Sequence, residues 1–214
     1  MDINFTKDQL IEFENNIASC FNNKMIKAPI HLHEGNEEPL IELFSRYIKK
    51  DDWLFTTWRS HYHCLLKGVP PEKLKKDILD CKSITLCYKE EKIVSSAIVT
   101  GNLSIAVGTA LDLKLKNSKE KVWVFSGDMT STTGAWYEAY NYSICHDLPI
   151  NFVIEDNGKS VCTMTKDVWN NKKIIGGIKD IDDNRLHEIG NKLFYYSYKM
   201  LTYQHAGTGV RVQF

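Results

Sequence analysis

Two short polar segments each follow an apolar run that is typical of a buried strand. Ser126-Gly127-Asp128 follows the run 122–125, and Glu155-Asp156-Asn157-Gly158 follows the run 150–154. Neighbouring parallel strands end in a common crevice, where open α/β sheets bind their ligands. Asp128 and Asn157 would therefore lie close together and offer a carboxylate and an amide oxygen. Hard oxygen ligands of this kind suit Mg²⁺, particularly beside phosphate groups.

A helix predicted near Thr133–His146 connects the two segments. Its free N–H groups and positive dipole end would face the same crevice, which suits a phosphate. A Gly-Asp turn alone is more often a tight turn whose Asp caps the next helix. The matching Asn157 at the next strand end favours a ligand site.

Short apolar runs alternate with helical patterns from about residue 93. Strands are predicted at Ile93–Val99, Val122–Phe125 and Ile150–Ile154, with helices near Ser104–Leu115 and Thr133–His146. This βαβ alternation is typical of a parallel sheet with helices on its faces. We therefore expect a three-layer α/β fold with a mainly parallel sheet.

Helices are also predicted before this region. Thr6 followed by Gln9 fits a capping box that starts the first helix. A second helical pattern follows Pro39, and a third begins at Pro71, a favoured residue of the first helical turn.

The pattern is weaker after Trp169. Residues 172–183 look loop-like, residues 183–192 fit a helix and residues 194–198 fit a strand. We find no internal repeat or linker, and 214 residues suit a single domain spanning 1–214.

Composition narrows the range of partners and compartments. Twenty-seven basic residues balance 27 acidic ones, so no overall charge favours nucleic acid or an anionic membrane. The six cysteines are scattered, which indicates reduced thiols. The chain has no signal-like N-terminus and no apolar stretch of the roughly 18–20 residues that span a bilayer. We expect a cytoplasmic protein.

The polar segments also resemble a known motif. Gly127-Asp128-Met129-Thr130, followed after the motif's usual gap by Glu155-Asp156-Asn157, resembles the thiamine diphosphate motif, Gly-Asp-Gly with a later Asn-Asn. More narrowly, the chain resembles the alpha subunit of 2-oxoacid dehydrogenase E1 components, such as those acting on pyruvate or acetoin. Further similar segments are His31-Leu32-His33-Glu34-Gly35-Asn36-Glu37, Trp58-Arg59-Ser60-His61, Lys67-Gly68-Val69-Pro70-Pro71, Val99-Thr100-Gly101-Asn102-Leu103 and, more faintly, Tyr203-Gln204-His205-Ala206-Gly207.

The resemblance implies a role for each matched residue. Asp128 and Asn157 would bind Mg²⁺ through their side chains and Lys159 through its backbone carbonyl. Arg59 would hold the diphosphate, because a guanidinium matches phosphate oxygens. The implied catalytic residues are His31, His61 and His205. The implied cofactor-binding residues are Trp58, Arg59, Gly101, Leu103, Gly127, Asp128, Met129, Thr130, Asn157 and Lys159.

The chain departs from the family pattern at four points. Met129 replaces Gly and could crowd the turn beside the cofactor; Asp156 replaces the first Asn and adds a negative charge near the metal. Trp58 replaces Tyr. The fourth departure is length, since family alpha subunits are usually well over a hundred residues longer.

The resemblance also implies an enzyme made of two chains. It would decarboxylate a 2-oxoacid using thiamine diphosphate and Mg²⁺ and would transfer the acyl unit to an acceptor. A separate pyrimidine-binding, beta-type chain would supply the Glu that activates the cofactor, in an α2β2 assembly. The acceptor is a lipoyl carrier or, slightly favoured, another carbonyl compound such as an aldehyde or keto-sugar.

Three alternatives stay open from the sequence. One is a transketolase-type N-terminal half, and another is a non-catalytic module that binds Mg²⁺ and diphosphate. The third is a transition-metal site, because the pairs His31/His33 and His61/His63 would each share a face if they lay on strands.

Overall fold

The structure is a computed structural model that describes residues 5–169, 181, 183–190 and 192–209. The helices in this part of the chain are α1 Lys7–Asn22, α2 Glu37–Arg46, α3 His61–Lys67, α4 Pro71–Leu79, α5 Leu103–Leu115, α6 Gly134–Cys145 and α7 Thr165–Val168, with a 3-10 turn at Thr130–Thr132. The strands are β1 Trp53–Thr56, β2 Cys87–Tyr88, β3 Ile93–Ser95, β4 Val122–Gly127, β5 Ile150–Asp156, β6 Lys159–Ser160, β7 Thr163–Met164, β8 His187–Glu188 and β9 Leu193–Ser197.

Seven of these strands form one sheet in the order β2-β3-β1-β4-β5-β9-β8. The five inner strands run parallel, and the two edge strands pair antiparallel. The remaining two, β6 and β7, form a separate hairpin after β5. The prediction of a mainly parallel sheet is confirmed.

The sheet is covered on both faces because its central strands are apolar on both sides. Trp123 and Phe125 of β4 pack with α1 to α4 in one core, whereas Val122 and Val124 pack with α5 and α6 in the other. Alternate residues of a strand point to opposite faces, so two cores on one strand make three layers. The three-layer α/β fold is confirmed.

The first helix begins as its sequence predicts. The Thr6 hydroxyl oxygen accepts the N–H of Gln9 at 3.3 Å, and the Gln9 side chain accepts the N–H of Thr6 at 2.9 Å. This capping box satisfies two N–H groups that have no partner inside the helix. The helices expected after Pro39 and from Pro71 are also present, although α2 begins two residues before Pro39.

Several elements differ from the sequence prediction. The strand expected at 93–99 ends at Ser95, where Asn102 donates hydrogen bonds to the carbonyls of Val94 and Thr56 and the chain turns away. The helix expected at 183–192 is wrong, because His187–Glu188 is a strand paired with β9. The strand expected at 194–198 is confirmed as β9, and most of the loop expected at 172–183 lies outside the described residues.

Within the described ranges, none of the helices combines the length and the apolar character needed to cross a membrane.

Candidate active site

The two predicted metal ligands follow the ends of adjacent strands. Gly127, the last residue of β4, pairs with Glu155 near the end of β5, so Asp128 and Asn157 leave the sheet side by side. Both line one cavity at this edge of the sheet, which we call the main cavity. It is also lined by the predicted site residues His31, Trp58, Arg59, Gly127, Met129, Thr130, Lys159 and His205.

The Asp128 carboxylate is buried, with only 1% of the residue exposed. The hydroxyl of Thr165 donates a hydrogen bond to its Oδ2, while its Oδ1 has no hydrogen-bond partner among the described residues. Burial, together with the negative charge of Asp156, raises the pKa of Asp128 to about 7. An unpaired buried carboxylate oxygen is costly unless a ligand or cation satisfies it.

Asn157 and Lys159 complete this side of the main cavity. The backbone N–H of Lys159 donates to the amide oxygen of Asn157 at 3.1 Å, and the amide nitrogen of Asn157 lies 3.4 Å from the sulfur of Met200. These contacts leave the second lone pair of the amide oxygen available. Together with Oδ1 of Asp128, the donor set fits a Mg²⁺ ion that completes its shell from phosphate and water.

Asp156, which replaces the first Asn of the family motif, has a carboxylate that is fixed by hydrogen bonds. One carboxylate oxygen accepts the N–H of Gly158 at 2.8 Å, and the other accepts the hydroxyl of Tyr195 at 2.6 Å. Its charge still acts on Asp128 through space. Asp156 is therefore a structural carboxylate that alters the electrostatics of the neighbouring one.

Met129 fits the turn without strain. Its φ of −66° and ψ of −36° lie in the right-handed helical region, which any residue can adopt. The 3-10 turn Thr130–Thr132 lies between Asp128 and α6 along the chain. At the start of α6, the N–H of Trp136 donates to the Thr133 hydroxyl at 3.3 Å. The expected helix N-terminus is thus set back from Asp128 by one turn.

Arg59 reaches the main cavity from the loop after β1. Its Nε donates to the carbonyl of Leu32 at 2.9 Å, and its backbone N–H donates to the Thr57 hydroxyl at 3.3 Å. The terminal guanidinium nitrogens make no hydrogen bond to a described residue. Those nitrogens can bind phosphate oxygens in a bidentate manner.

Two imidazoles also line the main cavity. The rings of His31 and His205 lie 5.9 Å apart between centroids, and the Trp58 ring lies 5.8 Å from His31. Burial, with a smaller contribution from the Arg59 charge, lowers the pKa of His31 to about 3. His31 is therefore neutral near pH 7, and one ring nitrogen can accept a proton or hydrogen bond while the other donates.

Two of the cofactor-binding residues that the resemblance implies line a neighbouring cavity. Gly101 and Leu103 lie there, and this second cavity shares Thr57, Trp58 and Thr130 with the main one. The two cavities are therefore contiguous.

His61 does not line either cavity. It lies in α3 and is fully buried, with Nδ1 3.1 Å from a Glu14 oxygen and Nε2 2.9 Å from the Ser83 hydroxyl. Its position gives no support to the predicted catalytic role. It is typical of a buried residue that links α3 to neighbouring elements by hydrogen bonds. His63 also lies in α3, so the two histidines do not share a strand face. No group of three or more His, Cys, Asp or Glu suited to a metal occurs in the described part of the chain.

Sequence reasoning missed several residues that line the main cavity. Glu155 and Gln204 lie within the segments that carry the resemblance, which implied no role for either of them. Tyr198 carries no local signal, because it reaches the cavity through the pairing of β9 with β5. The missed residues are Thr57, Glu155, Ser160, Val161, Tyr198 and Gln204.

Comparison with known proteins shows which family the chain belongs to. The family model described as dehydrogenase E1 component matches residues 6–177. The chain belongs to this family. Membership of the dehydrogenase E1 component family implies thiamine diphosphate as the cofactor, and the fold is consistent with its thiamine diphosphate-binding α/β domain.

Three curated relatives have 26–28% sequence identity to this E1 family member. The alpha subunit of acetoin:2,6-dichlorophenolindophenol oxidoreductase from Bacillus subtilis is 26% identical over 71% of this chain and 48% of its own length. The pyruvate dehydrogenase E1 component alpha subunit from Zymomonas mobilis is 26% identical, covering 71% and 46%. The corresponding subunit from Rickettsia prowazekii is 28% identical, covering 73% and 52%. The chain spans about half the length of the curated relatives it matches.

Proposed function

We propose that this E1 family member is the diphosphate-binding alpha subunit of a two-chain, thiamine diphosphate- and Mg²⁺-dependent enzyme. The enzyme decarboxylates a 2-oxoacid and transfers the acyl unit to an acceptor. The main supporting observation is the convergence of Asp128, Asn157, Arg59, His31 and His205 on one cavity.

The diphosphate end of the cofactor would bind beside the strand ends. Asp128 would bind Mg²⁺ through Oδ1, Asn157 through its amide oxygen and Lys159 through its carbonyl. Arg59 would hold phosphate oxygens with the guanidinium nitrogens that Leu32 does not engage. The contiguity of the two cavities supports an extended cofactor whose ring end lies near Gly101.

The reacting end would lie on the imidazole side of the main cavity. When bound, thiamine diphosphate supplies the carbon nucleophile and the electron acceptor for cleavage next to a carbonyl. His31, kept neutral by burial, can donate or accept a hydrogen bond at the substrate carbonyl or carboxylate. His205 would act beside it as an acid or electrostatic partner, and Trp58 would limit access of water.

A second chain would complete the site. We propose a single domain over residues 1–214 and a beta-type, pyrimidine-binding chain that completes the site, in an α2β2 assembly in the cytoplasm. Relatives of similar sequence are named as alpha subunits, which supports this division. The family match argues against the transketolase-type alternative. The cavity's set of polar groups argues against a non-catalytic module.

Reconstitution tests the proposal. The chain, a beta-type partner chain, thiamine diphosphate and Mg²⁺ would be mixed with a panel of 2-oxoacids, and CO₂ release measured. We expect turnover only when both chains and Mg²⁺ are present. Adding lipoyl domain, or aldehydes and keto-sugars, identifies the acceptor. Turnover by this chain alone contradicts the two-chain assignment, and a complete mixture that neither binds the cofactor nor turns over contradicts the function.

A further inference from the structure

The carboxylate of Glu34 accepts three consecutive backbone N–H groups. Its Oε2 lies 2.9 Å from the nitrogen of Leu201, 2.7 Å from that of Thr202 and 3.0 Å from that of Tyr203. Successive N–H groups that converge on one oxygen form a small anion-binding nest. Because the acceptor is charged, each of these bonds is stronger than an ordinary backbone bond.

Gly35, the next residue, lets the two segments approach closely. Its φ is +83°, and a Cβ at this position would lie 2.6 Å from the carbonyl oxygen of Lys199. Any larger residue would be strained and would also push the backbone of Lys199 away. The side chain of Asn184 donates to the Gly35 carbonyl at 2.9 Å and braces the turn from another side.

The segment fixed by Glu34 leads directly to the main cavity. Residues 199–209, which we call the C-terminal segment, carry Gln204 and His205 into the cavity lining. Beyond His205, the N–H of Gly207 donates to the carbonyl of Ile30 at 2.9 Å. His205 is therefore held between two anchors, and both belong to the stretch that also carries His31.

We propose that Glu34 is a positioning residue for His205. Its carboxylate fixes the backbone at residues 201–203 and so sets where the His205 imidazole stands relative to His31. The expected effect of Glu34 on the reaction rests on the proposed function, whereas its effect on the position of His205 does not. Glu34 itself is absent from the lining of the main cavity, so its effect on the site passes through the C-terminal segment.

Amide hydrogen exchange reports on this anchor directly. In Glu34→Ala, the amides of residues 201–203 lose their acceptor, and we expect their exchange to accelerate at least tenfold while β4 and β5 exchange as in the wild type. Glu34→Gln keeps an acceptor oxygen and should restore most of the protection. Glu38→Ala is the matched control, since Glu38 is an exposed neighbour that forms an ion pair with Lys7 at 2.8 Å.

A second readout follows the imidazole. With histidine labelled for NMR, the cross-peak between the His31 and His205 rings should disappear in Glu34→Ala and return in Glu34→Gln. Gly35→Ala should also accelerate amide exchange at residues 201–203, because it displaces the turn from Lys199. This variant tests the anchor if Glu34→Ala does not fold. Wild-type exchange, or an unchanged His205 signal in the folded variants, would overturn the proposal.

The two hypotheses can fail separately. Exchange and NMR are measured without substrate, so they judge the anchor even if the chain has another function. In the reconstituted enzyme, Glu34→Ala should lower kcat at least tenfold with Mg²⁺-dependent cofactor affinity changed less than threefold. If wild-type reconstitution fails while the anchor readouts respond as expected, only the proposed function is refuted.

Discussion

The Thr165 hydroxyl binds Oδ2 of Asp128, and Oδ1 of the same carboxylate is buried without a hydrogen-bond partner in the described residues. A carboxylate held by one oxygen is oriented to bind a cation with the other. Thr165 lies at the start of α7, just beyond the β6–β7 hairpin, so the segment after Asn157 folds back to orient Asp128.

Asp128→Ala should abolish Mg²⁺-dependent binding of thiamine diphosphate while leaving the fold intact. Thr165→Val, which has the same shape without the donor, should weaken binding roughly ten- to a hundredfold, the scale of a lost hydrogen bond to a charged group. Calorimetry on the two-chain enzyme measures both. Thr163→Val, at an exposed position of β7, is the control. Undiminished affinity in Asp128→Ala would remove this residue from the metal site.

Cofactor binding should depend on pH through Asp128. Burial and the Asp156 charge raise the pKa of its carboxyl to about 7 without metal, and Mg²⁺ binds the ionised form. Each pH unit below about 7 should therefore reduce Mg²⁺ affinity about tenfold. Asp156→Asn removes the nearby negative charge, so the pKa should fall and the midpoint should move to lower pH. A titration series from pH 5.5 to 8 with the same affinity throughout would contradict this expectation.

Loss of the His205 imidazole should slow the reaction. His205→Ala is expected to lower kcat/KM roughly tenfold to a thousandfold, the scale of losing a positioned acid, base or electrostatic group. Cofactor affinity should change little, because His205 is not among the residues that we propose to hold Mg²⁺ or the diphosphate. Steady-state kinetics with the partner chain present measure the effect. His187→Ala, at a half-buried position paired with Asp183, is the comparison; equal kinetics in the two variants would leave His205 without a role.

Burial of neutral His31 should make stability fall in mild acid. Its pKa is about 3 when folded and about 6.5 when unfolded, so between these values the unfolded chain binds the extra proton. The free energy of unfolding is therefore highest above pH 6.5. It decreases as the pH falls, and at pH 5 it is lower by about 2 kcal/mol.

The variant His31→Gln removes this titration. Urea unfolding at pH 7 and pH 5 should show that the variant loses about 2 kcal/mol less stability than the wild type over this interval. His146→Gln, at an exposed position, should follow the wild-type pH dependence. Equal losses in wild type and His31→Gln would show that His31 is not held neutral.

The sequence predicted that Asp128 and Asn157 lie close together because the signal for their positions is local. Asp128 and Asn157 each follow a strand whose apolar run is visible in the sequence, and parallel pairing then makes them neighbours. The sequence also showed where the chain departs from the family motif. The structural effect of each departure depended on the backbone conformation and on hydrogen-bond partners from other strands. Met129 adopts an ordinary helical conformation, and Asp156 is bound by Tyr195 from a distant strand.

Long-range contacts explain what the sequence did not predict. Residues 183–192 have helical spacing, yet His187–Glu188 pairs with β9 and the sheet determines the local conformation. His61 lies within a matched motif, but α3 directs it between Glu14 and Ser83. Glu34 gave no signal of its own, since its three donors come from residues 201–203.

The sheet also limits how a second chain can attach. Both edge strands, Cys87–Tyr88 and His187–Glu188, are two residues long and antiparallel in the described part of the chain. Edges this short give an incoming strand almost no backbone to pair with, and they protect against aggregation by edge-to-edge pairing. The partner subunit that we propose would therefore associate through side chains of helices and loops. Amino-acid changes on those surfaces would then alter the choice of partner without disturbing the hydrogen bonds of the sheet.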